Sequence, residues 1–180
     1  MQHPVSHGVG TVILTRLFRR GRARYGVRLM DEHLQVDGEI RALKCALVDD
    51  NLNDLEWWTK KHLNYALREA LDLLRMEYAS AAAEDGLNES ASAKRARKSK
   101  YARMPLFWRS FAYFLYRYIF RGGFRDGWAG FTWNFFQGWW YRTMVDARIL
   151  EIKRATGADQ DREQAWERIC AYARERGLAI

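Results

Sequence analysis

The strongest pattern of polar and apolar positions lies in residues 106–121, where two faces alternate at helical spacing. One face carries Arg109, Tyr113, Arg117 and Arg121, and the other carries Phe107, Phe111, Phe114, Leu115 and Tyr118. This pattern predicts an amphipathic helix. Because arginines interrupt the apolar run before it reaches the roughly 20 residues that a bilayer-spanning helix needs, we expect the helix to lie on a surface.

A second aromatic helix is predicted for residues 128–154, directly after the first. The pair Gly122-Gly123 ends the first helix, and Asp126 is placed to cap the second. One side of the second helix carries Asn134, Gln137, Tyr141 and Val145. The two helices together predict a helical hairpin. Gly157 ends it, and residues 159–176 form a last amphipathic helix whose core-facing stripe comprises Ala165, Trp166, Ile169, Tyr172 and Ala173.

An earlier helix is predicted for residues 53–78, with Asn53 as N-cap and Glu56 three positions later, approximating a capping box. Neither proline nor glycine interrupts the segment. Its helical spacing puts four side chains on one face, namely Trp58, His62, Tyr65 and Glu69. From the residues alone we interpret this face as solvated, with Trp58 half-buried; the alternative is a binding surface.

The N-terminal region predicts a small antiparallel β-segment. Residues 1–10 form an irregular lead-in, residues 11–18 a buried strand, and residues 19–26 a basic turn. Residues 29–36 then precede the turn signal Asp37-Gly38. The predicted fold class is therefore α+β and mainly helical, with this β-segment followed by about four helices that include the aromatic hairpin.

Residues 80–104 are small, polar and charged, which predicts a flexible basic linker between the helix in residues 51–79 and the helices of residues 105–180. Its cations are Lys94, Arg95, Arg97, Lys98 and Lys100. The linker is either a solvated connector or a segment attracted to lipid headgroups or diphosphates.

Charge and aromatic content narrow the choice of partner. The 180-residue chain carries a formal net charge of +8, and 18 of its 26 aromatic residues lie between Tyr101 and Tyr141. Basic residues interleaved with aromatic rings are typical of a membrane interface, and no RNA-binding signature is present. We therefore expect an anionic membrane surface as partner, contacted by the linker cations with Arg109 and Arg117, and no nucleic acid.

The cysteine spacing and the N-terminal residues indicate whether the chain holds a metal and in which compartment it is expected. Cys45 and Cys170 are far apart and lack metal-ligand spacing, so we expect no metal site. The first twenty residues have no basic start or long apolar core, which excludes a signal peptide among them and makes the cytoplasm the default compartment.

Three spaced motifs carry a family resemblance: RLFRRGRARYGVRLMDEH, then DGEIRALKCALVDDNLNDLEWWTKKHLNYALREA, then YRYIFRGGFRDGWAGFTWNFFQGWWYRTMVDARILE. Together they resemble the C-terminal half of bacterial family-2 glycosyltransferases that build lipopolysaccharide core and exopolysaccharide. The resemblance implies a GT-A catalytic domain whose nucleotide-binding strands and acidic metal motif precede the matched region. Residues 1–50 are then a remnant of that domain, and a separate N-terminal catalytic half is an expected partner.

The resemblance also implies roles for single residues. The MDEH segment is similar to the acidic motif that supplies the base of an inverting transferase, so Glu32 is the first candidate and Asp31 the second. Without the resemblance, these carboxylates would be interpreted as partners of Arg19, Arg22 or Arg28. Acceptor contacts are implied for Arg16, Arg19 and His33, and for His62, Tyr65 and Glu69 in the segment that resembles KHNRYA. QGWWYR differs in order from the QxxRW motif of processive synthases, and no role is transferred to it.

The sequence thus predicts the C-terminal portion of a glycosyltransferase at the inner face of the plasma membrane, where it is peripheral. The complete enzyme would transfer a hexose from a nucleotide sugar to a lipid-linked saccharide acceptor and would use Mg²⁺ or Mn²⁺. This chain alone is expected to hold neither cofactor and to be inactive. The alternative is a non-catalytic membrane-surface or partner-binding module derived from the family.

Overall fold

A computed structural model describes residues 4–9, 15–25, 34–43, 52–79 and 101–178. In these residues the chain forms a two-stranded antiparallel sheet and then a mainly helical region. Strand β1 (Ala23–Tyr25) pairs with strand β2 (Leu34–Val36), with Ala23 opposite Val36 and Tyr25 opposite Leu34. The predicted α+β fold, mainly helical with a short N-terminal antiparallel segment, is confirmed.

The first strand was predicted for residues 11–18, of which residues 11–14 lie outside the described residues. Residues 15–18 contain no strand, and Leu17 is 79% exposed. The chain turns where the Arg22 amide donates to the Arg19 carbonyl (3.0 Å), and β1 then begins inside the segment predicted as a basic turn. A two-stranded ribbon buries little surface, so backbone pairing rather than apolar content determines which residues form the strand.

Helix α1 (Leu55–Tyr78) begins one residue later than the sequence indicated. Its N-cap is Asp54, whose carboxylate accepts a hydrogen bond from the Trp57 amide (2.8 Å). The predicted capping box is wrong, because Glu56 accepts instead from the Lys60 ammonium (2.6 Å), one turn further along.

The aromatic helical hairpin is confirmed, and each of its arms contains a π-helical segment. The first arm is α2 (Trp108–Leu115), which continues as the π-helical segment Tyr116–Phe120. After the 3-10 turn Gly123–Asp126, the second arm consists of α3 (Gly127–Trp133), the π-helical segment Asn134–Trp140 and α4 (Tyr141–Thr156). These three segments form one continuous composite helix.

The composite helix ends at Gly157, whose left-handed conformation (φ 61°) closes the last turn as predicted. Helix α5 (Ala165–Glu175) follows. Its predicted apolar stripe is confirmed, since Ala165, Ile169, Tyr172 and Ala173 are buried and Trp166 is partly buried.

The hydrophobic core lies where α1, α4 and α5 meet. Most of its side chains are aliphatic, including Ala66, Ala70, Leu71, Leu74, Val145, Ile149, Ile152 and Ile169. Helix α1 contacts both α4 and α5, so its buried face fixes the position of the composite helix. The aromatic hairpin extends from this core.

The N-terminal lead-in packs against the turn of the hairpin. The Asp126 carboxylate accepts hydrogen bonds from the backbone amides of Ser6 (2.8 Å) and His7 (2.7 Å) and contacts the His7 ring at Nδ1 (2.6 Å). Asp126 occupies the N-cap position of α3 as predicted, but its side chain makes no capping hydrogen bond there. Glycine at position 8 allows this close approach, because the Cβ of any other residue would lie only 2.9 Å from the Asn134 side chain.

Candidate functional site

Two segments that carry the family resemblance meet between α1 and the composite helix. His62 of α1 faces Gln137 of the second π-helical segment, with 2.9 Å between His62 Nε2 and the Gln137 side-chain nitrogen. The His62 ring stacks on Trp58 with a centroid distance of 3.6 Å, and its edge meets the Tyr141 ring at 5.4 Å. The face of α1 interpreted as solvated is therefore packed against the hairpin.

The hydrogen bonds of His62 indicate one protonation state. Its Nδ1 lies 2.8 Å from the Trp58 carbonyl oxygen, which can only accept, so we assign the proton to Nδ1. Nε2 then accepts from the Gln137 amide. Burial lowers the pKa of His62 below 6.5, and Lys61 adds to this although the Trp58 carbonyl opposes it. His62 is thus a neutral ring held in one orientation.

Glu69 lies about two turns further along α1 and is buried. Its carboxylate accepts hydrogen bonds from the Tyr141 hydroxyl (2.7 Å) and from the Arg142 guanidinium (2.9 Å). Burial alone lowers the pKa of Arg142, but the negative charge of Glu69 and the nearby tyrosines raise it by more. A buried carboxylate needs such a partner, which explains why the QGWWYR segment lies against this position.

Three tyrosine rings surround the Arg142 guanidinium. The Tyr113, Tyr101 and Tyr141 centroids lie 5.5, 5.7 and 5.8 Å from its central carbon. Arg142 Nε and the Tyr101 hydroxyl are buried without a hydrogen-bond partner among the described residues. Burial raises the pKa of Tyr101 to about 12, so its hydroxyl keeps its proton. Each unpaired buried polar atom costs about 1–3 kcal/mol, which a polar ligand can recover.

The remaining residues predicted to contact acceptor are placed as follows. Tyr65 is half-buried and meets the His62 ring edge-on at 5.8 Å. Arg16 and Arg19 are exposed in the N-terminal region. Asp31, Glu32 and His33 lie outside the described residues, as do the linker cations Lys94, Arg95, Arg97, Lys98 and Lys100.

Arg109 is not at the lipid-facing surface where the sequence placed it. Its side chain is 2% exposed, and its Nε donates to Asp146 Oδ1 at 2.7 Å. A second guanidinium nitrogen donates to the same oxygen, and a third donates to the Ala102 carbonyl (3.1 Å). An arginine held in this way cannot reach a headgroup, so its assignment as a lipid contact is corrected. Arg117 is half-buried and donates to the Gly8 carbonyl (2.7 Å).

Exposed aromatic surface is concentrated at the turn of the hairpin. The exposed large side chains of this turn are Tyr116, Ile119, Phe120, Phe124 and Trp128. We call this set of side chains the hairpin tip. Nearer the core the rings contact one another: Phe114 stacks on Trp139 at 5.6 Å, and Phe111 meets the same ring at 5.2 Å in a tilted arrangement.

Sequence reasoning missed Gln137, Tyr141 and Arg142 as members of the site. It placed Gln137 and Tyr141 on one side of the second helix without a partner and gave Arg142 no role. The signal that could have found Arg142 is Glu69, since an acidic residue on a face shared with Trp58 and Tyr65 needs a cation when that face is buried.

Within the described ranges, no three His, Cys, Asp or Glu side chains come together in a group that could hold a metal ion. In the same residues, every helix is too short or too polar to cross a membrane. No protein-family model, no curated protein and no solved structure matches the chain.

Proposed function

We propose that this chain is the C-terminal, acceptor-side portion of an inverting glycosyltransferase of bacterial envelope polysaccharide synthesis. The complete enzyme transfers a hexose from a nucleotide sugar to a lipid-linked saccharide acceptor. One observation carries the proposal: two motifs of the resemblance, 75 residues apart at His62 and Gln137, meet in a single polar and aromatic cluster. A shared site is expected if both motifs serve the same substrate.

The chemistry of this cluster suits a saccharide. A sugar offers hydroxyl groups that donate and accept hydrogen bonds, and an apolar face that packs on aromatic rings. The cluster supplies a carboxylate, an amide and a guanidinium from Glu69, Gln137 and Arg142, beside the rings of Trp58 and Tyr141. A few fixed polar groups among aromatic side chains are the usual composition of a small-molecule site.

The reaction itself is assigned to the acidic segment that resembles the family's base motif. Glu32, or Asp31 as second candidate, takes the proton from the acceptor hydroxyl as its oxygen bonds to the anomeric carbon and the nucleotide diphosphate leaves. We assign Mg²⁺ or Mn²⁺ and the nucleotide sugar to a preceding catalytic half, as the resemblance implies.

The proposed location is the inner face of the plasma membrane, with peripheral attachment. Supporting this are the five linker cations, each of which contributes about 1 kcal/mol near an anionic surface, and the exposed rings of the hairpin tip. A lipid-linked acceptor would be presented at that surface.

Glu32→Gln in the complete enzyme tests the assignment of the base. The amide keeps the shape of the side chain but cannot take a proton, so turnover should be lost while donor affinity stays nearly unchanged. Asp31→Asn should cost less. Steady-state kinetics and calorimetric donor binding measure the two effects, and Glu39→Gln, at an exposed carboxylate beside Arg41, is the matched control. A larger effect of Asp31→Asn would assign the base to that residue instead.

The rival function is a non-catalytic membrane-surface or partner-binding module. The exposed hairpin tip favours it as a second candidate, because a surface of this kind needs no chemistry to act. The same experiment separates the two candidates. If the protein with its N-terminal half shows no sugar transfer, Glu32→Gln has no turnover to remove and the module is the better description.

A further inference from the structure

The hairpin tip is the most exposed aromatic surface in the described part of the chain. Phe120 is 79% exposed and Trp128 is 84% exposed, although both are large apolar side chains. Large apolar side chains exposed together at one turn indicate a contact with another molecule or with a membrane. The charges around the hairpin tip indicate which kind of partner it contacts.

Among the described residues, the charged side chains at the turn are two arginines and one carboxylate that is already paired. Between residues 101 and 145 the sequence contains one acidic residue, Asp126. Its side chain is 9% exposed, and both of its oxygens are engaged by the Ser6 and His7 segment. Arg121 and Arg125 are exposed at the same turn and form no ion pair within the described ranges. Arg121 donates a hydrogen bond to the Val9 carbonyl (3.3 Å), which leaves its charge uncompensated. Rings flanked by arginines without a counter-charge complement an anionic lipid surface.

A second copy of the chain fits this surface less well. A symmetric dimer joined through the tip would place the same patch on both sides of the interface. The arginines of the two copies would then face each other without an intervening carboxylate, and such like-charge contacts oppose association.

We propose that the hairpin tip enters the headgroup layer of an anionic membrane and thereby sets the height of the acceptor cluster above it. Trp128 and Gln137 lie on one continuous helix, nine residues apart, which separates them by about 14 Å along its axis. This second part rests on the proposed function: at that height the cluster faces the saccharide of a lipid-linked acceptor rather than its lipid anchor.

The experiment measures partition of the 180-residue chain onto vesicles of phosphatidylglycerol and phosphatidylcholine by co-sedimentation. The double variant Phe120→Gln/Trp128→Gln should lower the partition coefficient about tenfold or more, because two rings lose their burial at the interface. The matched control is Leu17→Gln/Leu52→Gln, which changes two equally exposed apolar side chains that are not part of the aromatic hairpin and should bind as the parent does. Thermal melting should agree among all three proteins, since none of these side chains is buried.

Two results would overturn the inference. Unchanged vesicle binding by the tip variant would show that the linker cations alone hold the chain at the membrane. A parent protein that sediments as a dimer without lipid, and becomes monomeric only in the tip variant, would identify the tip as a self-association surface. Because the assay contains no sugar nucleotide, neither result bears on the transferase proposal, which the Glu32→Gln experiment tests. If the transferase proposal fails, the inference that the tip enters the membrane still stands.

Discussion

The aliphatic core and the aromatic hairpin differ in how far their apolar side chains are buried. In the core, Leu71, Ile152 and Ile169 are completely buried between α1, α4 and α5. In the hairpin, rings stack along one side, but the tip leaves Phe120 and Trp128 in solvent. The larger side chains are thus the less buried ones, which indicates that the core maintains the fold and that the tip is available for contact.

Ion pairs differ between the two regions as well. In the hairpin, the pair of Arg109 with Asp146 is withdrawn from solvent and joins the two arms. The pair of Arg142 with Glu69 is partly buried and ties the hairpin to α1. On α1, Lys60 with Glu56 is an exposed pair within one helix. Removing one partner of a buried pair leaves an uncompensated charge, whereas an exposed pair is already solvated.

Asp146→Asn should produce the largest loss of stability among the variants that test this comparison. The amide leaves the Arg109 guanidinium buried without a counter-charge, so we expect the free energy of unfolding to fall by about 3–5 kcal/mol. Urea denaturation measures it. Glu56→Gln, which removes the charge of the exposed pair, is the control and should change stability by less than about 0.5 kcal/mol. Equal effects would mean that the pair is hydrated in solution.

Ile152→Ala and Trp128→Ala test the contrast between core and tip directly. Ile152 is fully buried, and its truncation should cost about 2–5 kcal/mol by leaving a cavity. Trp128 is a larger side chain but is 84% exposed, so its removal should change stability by less than about 0.5 kcal/mol. A Trp128→Ala protein destabilised as strongly as Ile152→Ala would show that the tip is packed in solution and unavailable to a membrane.

The sequence was sufficient to predict that the helices exist, because their signals are local, but not where each begins: α5 begins at Ala165, six residues after its predicted start. Helical spacing of apolar residues, Gly157 in the left-handed conformation and the stripe around Ile169 all act within a few residues, and each prediction was confirmed. The N-cap of α1 was misplaced by one residue, since Asn53 and Asp54 are both good caps and only the bond to the Trp57 amide distinguishes them.

The features that sequence reasoning missed depend on contacts between distant residues. Arg109 was assigned to a polar face because periodicity treats every arginine as solvated, but Asp146, 37 residues later, makes burial possible. Asp126 was taken for a helix cap, although its donors are the amides of Ser6 and His7 about 120 residues earlier. The candidate site was predicted only in part for the same reason. The sequence indicated the face of α1 but not the residues of the composite helix that contact it.

The smallest expected effect is a pH dependence of stability that originates at His62, on the boundary between core and hairpin. Its pKa is lowered from 6.5 in the folded chain, so the unfolded chain takes up the proton first as pH falls. Stability should therefore be unaffected by this group above pH 6.5, decline as pH falls through 6.5 towards the folded pKa, and stop declining below it. Carboxylates also titrate in acid, so the measurement is a difference between proteins.

His62→Gln should reduce the loss of melting temperature between about pH 7.5 and 5.5, because glutamine offers an acceptor to Gln137 but takes no proton. Lys61→Gln is an intermediate control. The Lys61 charge helps to lower the pKa of His62, so its removal should bring that pKa closer to 6.5. The pH range over which stability declines should then become narrower but not disappear. NMR titration of the His62 ring measures the pKa itself. A value at or above 6.5 would mean that the ring is more hydrated than its contacts with Trp58, Gln137 and Tyr141 indicate.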